Sequence, residues 1–300
     1  MPMKYLEKHP MVMIVVGVIG ISLSSIFVKY STAPSAVTAA WRLLWTVILM
    51  TPVTFGRRVI RRELFSAGKR IILLSAVSGI FLAFHFALWF ESLAHTSVAS
   101  STTIVCTEVI WVSLGYCLFL KGRLSAKAIV TILISFAGSS LIAFADSASG
   151  SGLYGDILAL LAAVAVAAYT LLGRIVRESA STAVYTYLVY LSCTLVLLAI
   201  CAWQGYGLME FGWSAIIVGL LLSVFSTVLG HSIFSWCLKY FTPSFVSASK
   251  LCEPVAAGVM AVFLFSEYPS LMQIVGAVLI LCGVYYYSKL EKNKSINCLT

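Results

Sequence analysis

The chain has 300 residues, of which 61% are hydrophobic and only 10% are charged. A soluble surface needs roughly a quarter of its residues charged, so this composition excludes an ordinary soluble protein and predicts one surrounded by lipid. The net charge of +9 does not indicate nucleic-acid binding, because the basic residues occur in short clusters between apolar segments.

Ten apolar segments follow one another with only short connections between them. They lie at residues 10–30, 34–54, 71–94, 97–119, 124–144, 153–173, 182–204, 213–238, 244–266 and 269–289. Each is close to the roughly 20 residues that a helix needs to cross about 30 Å of hydrocarbon. Barrel strands would instead be alternating segments of about 10 residues. We therefore predict an all-α, multi-pass membrane protein with ten transmembrane helices, TM1 to TM10.

Basic residues occupy every second connection. The largest cluster lies between TM2 and TM3, within residues 57–70, and others follow TM4, TM6 and TM8. The intervening connections carry no Lys or Arg. Cytoplasmic loops are enriched in basic residues, so we predict that both termini are cytoplasmic. Lys29, at the opposite end of TM1, is the one exception.

The two halves of the chain show a weak internal repeat. Glu108 in TM4 and Glu253 in TM9 are 145 positions apart. The same offset aligns identical residues at Leu93 and Leu238, Ser125 and Ser270, Ile129 and Ile274, Val130 and Val275, and Gly138 and Gly283. A unit of five helices, once duplicated, must re-enter the membrane upside down. We predict two inverted five-helix repeats, at residues 1–147 and 148–300.

Three stretches resemble a known family. They are TAAWRLLWTVIL with Arg42 in TM2, ALWFESLAHTSVASS across TM3 and TM4, and SFVSASKLCEPVAAGVMAVFLFSEYPSLMQIVGAVLILCG across TM9 and TM10. Over nearly its whole length the chain is similar to the EamA family of the drug/metabolite transporter superfamily. It departs from that pattern at Val109, where a proline often follows the glutamate, and at Gly122, where the loop usually has an acidic residue. The resemblance implies an exporter of small metabolites, such as amino acids, in the inner (plasma) membrane of a bacterial cell.

Charged residues inside the spans are the first candidates for a site, because each costs about 2.5–3.5 kcal/mol on insertion scales. Glu108 and Glu253 are predicted to bind substrate or a proton, since a carboxyl group within the bilayer can take up and release one. Lys250 is three residues before Glu253 on the same helix face, so a structural ion pair is the alternative. Three roles are open for Arg42: its head group could extend outward to the membrane surface, bind a substrate carboxylate, or pair with Glu91 or Glu108, and the pair is favoured.

Two histidines and a proline complete the polar candidates. His85 in TM3 and His231 in TM8 fall within one residue of the repeat offset. Either could relay protons or form a hydrogen bond between helices. Pro254 removes one amide hydrogen from TM9 and is predicted to act as a hinge. Four aromatic residues are predicted to line a pocket: Trp89, Trp111, Tyr169 and Trp236.

The predicted function is secondary-active export of amino acids or related metabolites by alternating access. The sequence is compatible both with proton-coupled transport and with facilitated diffusion of the same substrates. A less favoured alternative is an intramembrane enzyme that uses Glu108, His85 and His231 on a lipid; their different predicted depths argue against it. We expect no metal, cofactor or nucleic-acid partner. The expected partners are a small-molecule substrate, the bilayer and, if transport is coupled, protons, and the protein is expected to be a monomer.

Overall fold

A computed structural model describes residues 10–28, 30–96, 98–146, 152–265 and 268–297, and the regular structure in these ranges is helical throughout. Lys29 lies outside them. The helices are α1 (Pro10–Val28), α2 (Ser35–Gly56), α3 (Arg58–Phe65), α4 (Lys69–His95), α5 (Val98–Cys106), α6 (Glu108–Leu118), α7 (Ala126–Asp146), α8 (Leu153–Arg177), α9 (Thr182–Trp203), α10 (Gly212–Leu221), a π-helix (Leu222–His231), α11 (Ser232–Cys237), α12 (Pro243–Lys250), α13 (Glu253–Phe265) and α14 (Leu271–Asn297).

Eight helical segments of the described ranges are long and apolar enough to cross a membrane. They correspond to the predicted spans TM1 to TM4, TM6 to TM8 and TM10. The segment predicted as TM5 corresponds to α7, whose apolar part is shorter, and the one predicted as TM9 corresponds to the consecutive helices α12 and α13. The count of ten spans therefore stays a prediction.

The basic connection between TM2 and TM3 contains the short helix α3, none of whose residues is buried. The carboxylate of Glu63 accepts a hydrogen bond of 2.6 Å from the backbone N–H of Ser181, which precedes α9. This contact joins the TM2–TM3 connection to the TM6–TM7 connection, both of which are rich in arginine. The two connections therefore lie on the same side of the helix bundle.

Two predicted spans are interrupted at matching positions. TM4 breaks at Thr107, between α5 and α6, and TM9 breaks at Leu251 and Cys252, between α12 and α13. Thr107 and Cys252 are separated by the same 145 positions that relate Glu108 to Glu253. A hinge at Pro254 was predicted for TM9, whereas no irregularity was predicted for TM4. In TM9 the reason is Pro254, which has no N–H for the carbonyl of Lys250 and lies in the first turn of a new helix, where proline is tolerated.

TM8 is also irregular, because its middle third is a π-helix that packs on α1. The hydroxyl of Thr227 donates to the carbonyl of Leu222 five residues earlier, at 3.3 Å. The backbones of α1 and the π-helix are in close contact, since a Cβ added at Gly20 would lie 2.8 Å from the carbonyl oxygen of Phe225. π-helical turns occur frequently at functional sites, and His231 is the last residue of this one.

The helix contacts are symmetric when the two halves are exchanged. TM3 packs on TM6 and TM7, and the corresponding TM8 packs on TM1 and TM2. The predicted spans TM5 and TM10 pack on each other, and TM4 contacts TM9. Gly138 and Gly276 allow the TM5–TM10 contact, because a Cβ at either glycine would lie 2.6 Å from the backbone oxygen of the other. This pairing matches two repeats that face each other.

Candidate functional site

A cavity lies between the halves and is partly open to the exterior. TM1 to TM4 contribute to its wall from the first half, and TM6, TM8 and TM9 contribute from the second. Seven of the ten predicted binding residues line it: Arg42, His85, Trp89, Glu108, His231, Lys250 and Glu253. Residues far apart in the sequence therefore share one internal space.

The shortest charged contact across this cavity joins the halves. The Nζ atom of Lys250 donates to Oε1 of Glu108 at 2.8 Å, and the side chains are only 13% and 8% exposed. The Thr170 hydroxyl donates to the same oxygen at 3.1 Å. Lys250 thus pairs with Glu108 of the other half. It does not form the ion pair with Glu253 that their shared helix face had suggested. The break after Lys250 is the reason, because it ends the regular helix that would stack the two side chains.

The helix ends favour these charges. Glu108 is the first residue of α6 and Glu253 the first residue of α13, whereas Lys250 is the last residue of α12. A helix N-terminus carries a partial positive charge and a C-terminus a partial negative one, each worth about 0.3–1 kcal/mol for a suitable side chain. The two interruptions therefore place carboxylates and an ammonium group where the helix backbone stabilises them.

Arg42 is buried, with 1% of its surface exposed, and its contacts are with neutral groups. Its Nε donates to the Thr227 hydroxyl at 2.8 Å and its Nη1 to the Ser24 hydroxyl at 3.4 Å, while its guanidinium carbon lies 4.2 Å from the centre of the Phe86 ring. The predicted ion pair with Glu91 or Glu108 was wrong. Glu91 pairs with His95 on the surface, and Glu108 pairs with Lys250.

The histidines face the cavity among aromatic rings. Nδ1 of His85 lies 3.0 Å from the carbonyl oxygen of Ala162, which requires a proton on that nitrogen, and the imidazole stacks on Trp89 with the planes 12° apart. His231 meets the ring of Phe86 edge-on at 5.3 Å. His85 therefore forms the helix–helix hydrogen bond that was one of its two predicted roles. No group of three or more potential metal ligands occurs among the residues that the structure describes.

Comparison with known proteins gives the family. The model of the EamA-like transporter family matches the chain twice, at residues 9–144 and 153–289. The chain belongs to the EamA-like transporter family. This confirms the resemblance seen in the sequence.

Curated relatives and a solved structure agree with that membership. An uncharacterized transporter of Bacillus subtilis, YxxF, is 26% identical over 223 residues, which cover 72% of this chain and 70% of that protein. An uncharacterized transporter of Archaeoglobus fulgidus is 25% identical over 267 residues, which cover 82% and 93%. A crystal structure of a protein with 14% identity matches with a TM-score of 0.79 over 95% of this chain and 98% of that one, and it shows the fold alone.

The protein is therefore a multi-pass membrane transporter and not an enzyme. Family membership is the evidence that the protein is a transporter and not an enzyme. The positions of the polar side chains do not distinguish the two classes. Glu108, His85 and His231, the candidates of the enzyme alternative, all line this cavity. As a transporter, the protein requires a small-molecule substrate and a lipid bilayer.

Three predicted residues of this EamA-like transporter do not line the cavity. Trp111 is 36% exposed on the outer surface of α6. The ring of Trp236 contacts that of Tyr240, with the centroids 4.4 Å apart. Tyr169 is buried behind the wall, where its hydroxyl lies 2.9 Å from that of Ser235. Pro254, the predicted hinge, is the second residue of α13 and directly follows the cavity residue Glu253.

Several wall residues were missed, most of them because nothing in their local sequence distinguishes them. These are mainly small, polar or aromatic side chains: Ser24, Phe86, Thr102, Cys106 and Ser247. Ser247 had a usable signal, since it precedes Lys250 by three residues and so shares a helix face with it. Thr170, which donates to Glu108 from behind the wall, had none. An isolated threonine in an apolar span usually bonds to its own helix.

Proposed function

We propose that the protein exports amino acids or related small metabolites across the cytoplasmic membrane by alternating access around this cavity. In this proposal the chain crosses the membrane ten times with both termini in the cytoplasm, and residues 1–147 and 148–300 form two inverted repeats. The two halves alternately close the cavity on one side of the membrane and open it on the other.

The observation that carries the proposal is the Lys250–Glu108 ion pair between two interrupted helices. The two side chains belong to opposite halves and meet at 2.8 Å inside the cavity. Secondary transporters commonly bind their substrates at the repeat interface, beside breaks in membrane helices. An ion pair that spans the halves makes their separation sensitive to charge, because a substrate or ion that replaces either partner weakens the contact.

We propose Glu253 as the proton-carrying residue if transport is coupled to protons. Glu108 is already compensated by Lys250. Glu253 lines the cavity, is only partly buried, and has no described basic side chain within ion-pair distance. Its charged neighbours are Lys250, Glu108 and Arg42. It can therefore take up a proton without leaving a bonded cation unpaired, which Glu108 cannot do.

Transport in proteoliposomes tests this function. Vesicles with purified protein should exchange labelled amino acids and accumulate them when a pH gradient is imposed. Glu253→Gln preserves size but cannot titrate, so it should lose gradient-driven accumulation while a reduced rate of exchange remains. The matched control is Glu91→Gln, which removes a carboxylate outside the cavity and should behave like the wild type.

Two outcomes would contradict parts of the proposal. If the wild-type protein transports amino acids but a pH gradient does not change their accumulation, the protein is a facilitator, which is the second candidate function. Wild-type vesicles that move none of the twenty standard amino acids would refute the proposed substrate class. Direction is tested in cells, where expression of an exporter should raise the tolerated concentration of a toxic amino acid analogue.

A further inference from the structure

The cavity contains a cationic group that the protein leaves incompletely paired. Arg42 lines the cavity and is 1% exposed, and its Nη2 nitrogen is buried without a hydrogen-bond partner among the described residues. The Nε and Nη1 nitrogens bond to hydroxyls, which carry no charge to balance the guanidinium. A buried charge without a counterion is costly, and one that persists in a binding cavity points to a counterion supplied by the ligand.

Two further wall residues have buried polar atoms without a partner. The indole N–H of Trp89 and the hydroxyl of Ser247 make no hydrogen bond among the described residues, although each residue is at least nine-tenths buried. Buried donors are normally satisfied, so unpartnered polar atoms on residues that line one cavity require an explanation. An indole N–H can only donate, and so can a guanidinium N–H. The ligand must therefore offer an acceptor, and a carboxylate offers two oxygens.

The charges on the wall fall into one completed pair and one separated pair. Lys250 and Glu108 neutralise each other by direct contact. Arg42 and Glu253 both face the cavity and influence each other electrostatically, but they form no ion pair with each other. A purely anionic ligand would balance Arg42 and repel Glu253, whereas a purely cationic ligand would do the reverse. A ligand with both charges balances both residues and adds no net charge to the interior.

We infer that Arg42 binds the carboxylate of the substrate, that the Trp89 N–H is a second donor to that group, and that Glu253 faces the substrate's ammonium group. The cavity thus selects small zwitterions of the amino-acid type. This inference rests on the proposed function, because it assigns the two ends of the proposed substrate to particular side chains.

A structural role of Arg42 accounts for only part of its environment. Its bonds to Thr227 and Ser24 connect TM2 to TM8 and TM1, and they use two of its three nitrogens. A residue that only holds helices together would affect every ligand equally when it is replaced. A carboxylate-binding residue affects only those ligands that carry a carboxylate.

Binding to purified protein in detergent separates these roles. The probes are the twenty standard L-amino acids, the corresponding α-carboxamides and the decarboxylated amines, and the readout is ligand-dependent thermal stabilisation followed by calorimetry. Wild-type protein should bind its best free acid about tenfold or more tightly than the amide, because the amide loses the charge-assisted bonds to Arg42. Equal affinity for acid and amide would overturn the inference, and so would stabilisation by amines alone or by none of the three sets.

Substitutions then assign the discrimination to Arg42. Arg42→Gln should remove the preference for acid over amide, and Arg42→Lys should retain part of it, because a lysine keeps the charge without the planar fork. Trp89→Phe keeps the ring without its donor and should weaken acid binding more than amide binding. A preference that is unchanged in a folded Arg42→Gln protein would refute the assignment. If that variant does not fold, the wild-type comparison of acid and amide still decides the inference.

The binding experiment can refute this inference without refuting the proposed transport function, and transport assays can do the reverse. Binding needs no gradient and no direction, so preferential binding of acids without any transport would refute the transport proposal and leave the inference standing. Transport of amides as fast as the free acids would refute the inference and leave the transport proposal standing.

Discussion

Replacing Lys250 by methionine should destabilise the protein, because it leaves the Glu108 carboxylate buried with only the Thr170 hydroxyl as a donor. The structure places the two charges 2.8 Å apart, with 13% and 8% of the side chains exposed. Methionine has about the length of the aliphatic part of lysine, so little packing is lost. The change therefore measures the charge alone.

The expected magnitude follows from the degree of burial. Removing one partner of a buried ion pair costs about 3–5 kcal/mol, since the remaining charge is stranded. A neutral hydrogen bond between membrane helices contributes about 0.6 kcal/mol on average. The two values are far enough apart to distinguish an ion pair from a lysine bonded to a protonated glutamate.

Reversible unfolding in mixed micelles, followed by circular dichroism, measures the free energy of unfolding. Lys250→Met should lower it by about 3–5 kcal/mol, and adding Glu108→Gln to the same protein should restore most of the loss because no stranded charge then remains. Lys239→Met, at an exposed lysine on the next connection, is the control and should change it by less than about 0.5 kcal/mol. A loss below about 1 kcal/mol in Lys250→Met, or no recovery in the double variant, would refute the ion-pair argument.

Three further predictions address packing, the arginine and orientation. Gly138→Val should destabilise the TM5–TM10 contact by about 1–3 kcal/mol in the same unfolding assay, because the added Cβ would lie 2.6 Å from a backbone oxygen. The control is Gly56→Ala, whose added Cβ meets nothing within 4 Å and should leave the free energy of unfolding unchanged. Thr227→Val removes the acceptor 2.8 Å from Arg42 and should cost about 1.5–3 kcal/mol; a neutral result would mean that this bond is dispensable. In a cysteine-less background, a cysteine at Gly207 should react with an impermeant reagent from outside and one at Ile60 should not, and the reverse result would invert the proposed topology.

Much of the site could be predicted because charge inside a bilayer is rare and costly. Glu108, Glu253, Lys250 and Arg42 were selected on that ground alone, and all four line one cavity. Aromatic residues carried no such information, because they are also common on lipid-facing and interfacial surfaces. Trp89 and Trp111 looked equivalent in the sequence, yet only Trp89 lines the cavity.

The class of protein, the family and most of the spans can be read from local sequence, because hydropathy is a local sum over about 20 residues and the family pattern is read along the chain. Which charged side chains pair with each other depends instead on how the helices pack. Lys250 bonds Glu108, 142 positions away, and not Glu253 three positions away. The break at Leu251 and Cys252 separates the near neighbours, and the packing of TM4 on TM9 supplies the distant one. Such pairing depends on where two helices meet in space, which no local property of either segment specifies.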